Sequence, residues 1–132
     1  MPIPKIEALV DALANLSGAS GNPDSHLFQI RNPIGLLNFG KPGKNEIDEN
    51  GKRIFSTWLA GYRAATFDIQ IKLEGTSRSG VKRDDKLTNL LRVLGVTEKL
   101  GQVQVCRFLR RALKDETITP ETPLAYFREE TK

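Results

Sequence analysis

The sequence predicts a mainly α-helical single domain of about five helices around a buried central helix. Three observations point there. Apolar residues recur at helical spacing in several separate segments. One segment, near residues 56–74, is apolar on two sides, as a helix enclosed by neighbours must be. The stretches between are punctuated by Gly, Pro, Ser and Asn. With 132 residues, 39% of them hydrophobic and 27% charged, the chain can close one core without disulfide or metal staples, so residues 1–132 are expected to form one domain.

Ile6, Leu9, Val10, Leu13 and Leu16 define a first helix over about residues 4–17, with Pro4 at its start and Gly18 just past its end. A polar link follows to Asp24. Residues 26–30 suit a short helix, broken by Pro33 and Gly35. Leu36–Phe39 and Arg53–Phe55 have strand character and are expected to pair in a small hairpin across a flexible loop, residues 40–52. Ser56 or Thr57 then caps the expected central helix. In it Trp58, Leu59, Tyr62, Ala65, Thr66, Ile69 and Leu73 share one broad stripe, with Ala60, Ala64, Phe67 and Ile71 roughly opposite. Gly61 inside this helix costs about 1 kcal/mol relative to Ala and fits where another backbone packs close.

After a second flexible loop, residues 75–83, Asp84 or Asp85 is expected to cap a helix built on Leu87, Leu90, Leu91 and Leu94 and ended by Gly95. A further helix spans about residues 101–114. Thr119-Pro120-Glu121 reads as a cap, a first-turn proline and a dipole-favourable acid opening a short final turn. The expected core comprises Leu9, Leu13, Trp58, Tyr62, Ile69, Leu73, Leu90, Leu94, Leu109 and Leu113.

Composition narrows the chemistry. Cys106 is the lone cysteine, which excludes an internal disulfide and a multi-cysteine zinc site. His26 is the lone histidine, leaving no His–His metal spacing and no nucleophile elbow to serve. No metal and no cofactor is therefore expected, and no catalytic residue is assigned. Glu7, Asp11 and Asn15 interrupt the first apolar segment, so a signal peptide is not expected there, and no apolar run approaches membrane-helix length. A cytoplasmic location is the expectation.

The candidate binding residues are cationic. Arg107, Arg110, Arg111 and Lys114 repeat at i, i+3, i+4 and i+7 opposite the apolar side formed by Val105, Cys106, Phe108, Leu109, Ala112 and Leu113, and no acid lies between Lys99 and Lys114. Such a stripe is either a docking face for phosphates of a polyanion, nucleic acid first among them, or a solvated helix face whose cations favour the helix dipole. Arg78, Lys82, Arg83 and Lys86 form a second basic stretch with Asp84 and Asp85 mixed in, an accessory to nucleic-acid binding or a plain solvent-facing loop. The net charge of +4 permits an anionic partner without demanding one. Glu46, Asp48 and Glu49 cluster in the first loop, where solvent-facing carboxylates are ordinary. A helix apolar on two sides could equally pack within the chain or across a homodimer.

One ordered set of motifs points elsewhere. Arg31-Asn32-Pro33-Ile34-Gly35-Leu36-Leu37, then Phe55-Ser56-Thr57, Gly61-Tyr62-Arg63-Ala64, Leu87 to Leu91, Arg111-Ala112-Leu113 and Thr119-Pro120-Glu121-Thr122-Pro123-Leu124 resemble, in order and spacing, small lysozyme-like domains of bacteriophage virion structural proteins. The resemblance covers about residues 28–125. It implies a phage or mobile-element domain that acts on or binds peptidoglycan. The chain departs from the family's Asn-Asn-Pro-Gly-Asn core at Ile34 and Leu36, and no Glu lies between Glu7 and Glu46 where active members carry their acid. Unless Glu46 or Glu49 substitutes, the resemblance implies fold and partner rather than activity.

Overall fold

The structure is a computed structural model that describes residues 4–18, 23–35, 46–47 (backbone only), 52–76 and 80–128. Among them the order is α1 (Lys5–Ser17), α2 (His26–Gln29), β1 (Glu46–Ile47), β2 (Arg53–Ile54), α3 (Trp58–Leu73), α4 (Leu87–Val93), α5 (Lys99–Leu113) and α6 (Ala125–Arg128). The domain is mainly α, with one antiparallel pair of two-residue strands in the register Glu46↔Ile54 and Ile47↔Arg53. The strand partner of Arg53–Ile54 is thus Glu46–Ile47, inside the segment read as loop 40–52. The expected partner, residues 36–39, lies outside the described residues.

Helix α1 is the post around which the others pack. It meets α5, α3 and α6, and Ala8, Leu9, Val10, Ala12, Leu13 and Ala14 are all buried. Three of the six are alanines, so neighbouring helices approach α1 closely, while Leu9, Val10 and Leu13 supply bulk. Full burial of each such larger side chain contributes about 1.5–3 kcal/mol. Gly18 ends α1 in the left-handed conformation at φ 83°, its N–H donating to Asn15 O.

Helix α3 presents one face inward. Gly61, Ala65, Ile69 and Leu73 form its buried stripe at i, i+4, i+8 and i+12, with Tyr62 half-buried beside it. Leu59, expected on the inward stripe, is 55% exposed; on the opposite side Phe67 is 64% exposed, while Ala64 and Ile71 are half-buried. The enclosure expected of both sides holds for one, because the neighbours of α3 stand on that side. Thr57 caps the helix, its hydroxyl accepting from Ala60 N at 3.1 Å. Gly61 meets a backbone as anticipated: a Cβ there would lie 1.9 Å from Arg31 O. Arg31 is itself left-handed, at φ 56°. Its segment is tied to β2 by Phe55 N donating to Ile30 O, and by the fully buried Asn32 donating Nδ2 to Arg53 O, both at 3.0 Å.

The C-terminal turn closes the far side. Neither Asp84 nor Asp85 caps α4. Leu87 N and Thr88 N, the free donors of its first turn, donate instead to Thr122 O and Pro120 O, each at 2.8 Å. Asp85 turns back to accept from Lys82 N. Buried Gln102 joins α5 to α4, accepting from Thr88 Oγ1 and donating to Val96 O. Arg128 of α6 donates to Leu73 O, the carbonyl end of α3, and to Arg83 O, a cation placed where the helix dipole favours it. Val81, in the segment read as loop 75–83, is buried in the core.

Of the expected core, Leu9, Leu13, Ile69, Leu73, Leu90 and Leu109 are buried, and Trp58, Tyr62, Leu94 and Leu113 are half-buried. Phe127, Ile118 and Leu124 complete the core from the C-terminal segment. Among the described residues no helix is long and apolar enough to cross a membrane.

The close approach at Gly61 is directly testable. Gly61→Ala should lower stability in urea unfolding by about 3 kcal/mol, because Arg31 O is main chain and cannot swing aside. A variant as stable as the parent would show that the contact is loose.

Candidate nucleic-acid interface

The expected basic stripe lies on α5, and tertiary packing divides it. Arg107, Arg111 and Lys114 are exposed. Among the described residues no carboxylate pairs with any of the three. Arg110 is different. It is half-buried, and its guanidinium Nη1 donates to Ile118 O at 2.8 Å, holding the chain that leaves α5. A guanidinium committed to a partly buried carbonyl is a structural clamp, so Arg110 leaves the contact set. Lys114 ends α5 in the left-handed conformation at φ 53°. Of the second basic stretch, Lys82 and Arg83 are exposed, with the Arg83 main chain engaged by Arg128, and exposed Lys86 is paired with Glu121 at 2.8 Å. Arg78 lies outside the described residues.

Arg107 and Arg111, one helical turn apart, stand at the rim of a groove of about 580 Å³ between α5 and α1. Gln104, Phe108 and Ala112 line it from α5, and Ala12, Asn15 and Leu16 from α1. Phe108 and Leu16, both half-buried, also pack on the core, so the groove floor is continuous with it. Among the described residues no carboxylate lines the groove. Asp11 of α1 is turned away, its Oδ1 accepting from the Tyr62 hydroxyl of α3 at 3.0 Å. The site therefore combines two unpaired guanidinium groups, two neutral amides and an apolar floor. Its charge suits an anion and its floor a flat apolar group beside it, and among the described residues that line it there is no paired acid and base.

The α1 half of this site was not legible as a site. Ala12, Asn15 and Leu16 have ordinary helix spacing, and only the packing of α1 on α5 brings them to the groove. The other candidates fall elsewhere. Exposed His26 begins α2. Cys106 is buried, and burial raises its thiol pKa while Arg110 pulls it down, the first effect being the larger. A protonated buried thiol is a poor nucleophile. The side chains of Glu46 and Glu49, which the peptidoglycan reading would need as acids, lie outside the described residues. No family model, curated protein or solved structure matches this chain.

Two carboxylates flanking the site are shifted in opposite senses. Burial raises Asp11, with the Tyr62 hydrogen bond opposing. The Thr117 hydroxyl and N–H, and then the Tyr126 hydroxyl, hold Asp115 below its usual range. A carboxylate with a depressed folded pKa stabilises above its unfolded pKa of about 4 and loses that contribution as pH falls; a raised one has the reverse sign. In a pH series of thermal melts, Asp115→Asn should therefore melt below the parent at neutral pH, with the gap closing in acid. Asp11→Asn, which keeps an acceptor for Tyr62, should instead gain on the parent as pH rises through about 4. Parallel curves for either variant would contradict the assignment.

Proposed function

We propose that the protein is a non-catalytic binding module that engages a polyanion, nucleic acid first, through the exposed face of α5. The observation that carries this reading is the pair Arg107 and Arg111 on the rim of the α1–α5 groove, with Lys114 beyond them and no acid among the described residues that line the groove. Each cation that neutralises a phosphate releases a condensed counterion, so affinity should fall steeply with salt. Three such contacts imply a log–log slope of about −2 to −3.

The measurement is fluorescence anisotropy with labelled DNA and RNA across a salt series. The joint variant Arg107→Gln, Arg111→Gln, Lys114→Gln should lose most of its affinity and flatten the slope. Arg110→Gln should leave the slope unchanged while lowering the melting temperature, since it removes the Ile118 clamp at a cost of about 1 kcal/mol or more. Binding that persists unaltered in the triple variant would refute the reading.

A second reading, a lysozyme-like domain of a phage or mobile element that acts on or binds peptidoglycan, is supported by one observation. Motif pieces that resemble that family touch one another: a Cβ at Gly61 would meet Arg31 O and the Phe55 ring. The reading predicts that the protein sediments with purified peptidoglycan. Recovery entirely in the supernatant, with no soluble fragments released, would sink it.

A further inference from the structure

The α1–α5 groove is more than a cationic surface, and its apolar half discriminates between kinds of polyanion. A duplex offers phosphates to Arg107 and Arg111 but keeps the faces of its bases stacked inside, so Phe108 and Leu16 would face only water or the sugar-phosphate edge. A single strand offers both chemistries at once, because its bases unstack and every base has a face that packs on an aromatic side chain. Arg107 and Arg111 are about 6 Å apart along the helix axis. Phe108 follows Arg107 in sequence, yet it is half-buried, packs against the core and lines the groove together with Ala12 and Leu16 of α1. Asn15 and Gln104 place neutral donors and acceptors on the same walls, a polar edge for an inserted base that carries no charge of its own.

Resting on the reading of α5 as a polyanion-binding face, we infer that the preferred polyanion is a single strand of nucleic acid. One unstacked base lodges in the α1–α5 groove against Phe108 while flanking phosphates lie on Arg107 and Arg111. Phe108 is then a specificity-determining residue for strand over duplex. Arg107 and Arg111 contribute to both forms.

The test compares labelled oligothymidylate and oligouridylate of about 12 nucleotides with a duplex of equal length, by anisotropy at about 50 mM salt, on the parent chain and on Phe108→Leu. Strands should bind about tenfold more tightly than the duplex, and Phe108→Leu should lose about tenfold on strands while leaving the duplex unchanged. Because Phe108→Leu could fail to fold, a second measurement uses the parent chain alone: ultraviolet crosslinking of a strand containing 5-iodouracil, followed by mass spectrometry of the joined peptide. A crosslink within α5 at Phe108 supports the inference. Equal or tighter duplex binding, or a crosslink away from α1 and α5, overturns it and leaves the polyanion reading standing. Absence of binding to strand and duplex alike overturns both.

Discussion

Burial of α1 among α5, α3 and α6 is the contact on which the rest of the structure depends. Its alanines at positions 8, 12 and 14 have almost no exposed surface, and that allows three helices to converge on one. Bulkier residues there would push the neighbours apart and open voids that lose both hydrophobic and dispersion contacts. The same packing makes the candidate site. Where α5 leans on α1, the helices cannot mesh along their outer edges, and a groove remains with Ala12 and Ala112 among its lining residues. Scaffold and site share one interface, which places the site on rigid elements instead of a loop.

The C-terminal segment completes what α1 begins. Helix α4 has only seven residues and is too short to be stable alone. Its first free N–H groups are satisfied by the Thr122 and Pro120 carbonyls, its apolar face is buried, and Gln102 joins it to α5. Lys5 adds a bond to Tyr126 O and lies over the Tyr126 ring, while Arg128 reaches the end of α3. Residues distant in sequence thus hold the two ends of the chain together. Arg110 belongs to this closure more than to any surface.

The α5 stripe illustrates how a sequence pattern and a surface differ. At the level of spacing, Arg107, Arg110, Arg111 and Lys114 are equivalent members of one face. In the folded chain Arg110 lies nearest the edge where the backbone returns after Asp115, so the Ile118 carbonyl captures it. The returning strand of chain decides the matter, and periodicity carries no information about where that strand runs. Gly61 is the opposite case. A glycine inside a strong helix is costly enough that a close backbone approach was the natural explanation, and Arg31 O is that backbone.

Helix number and position were largely legible. The apolar repeat in α1, the Thr57 cap, the glycines after α1 and α4 and the Thr119–Pro120 turn are local signals, and local hydrogen bonding and side-chain periodicity suffice to produce them. The buried status of Leu9, Leu13, Ile69, Leu73, Leu90 and Leu109 follows from the same periodicity. What the tertiary structure alone decided is relational. It decided that β2 pairs with Glu46–Ile47, that α3 buries one apolar side and leaves Leu59 and Phe67 open, and that α4 is capped by distant carbonyls instead of Asp85. It also decided that Asn15, Leu16 and Phe108 share a groove with two of the four stripe cations. Each of these depends on which surfaces far apart in sequence come into contact, and that is settled by the global balance of burial and hydrogen-bond satisfaction rather than by any single segment.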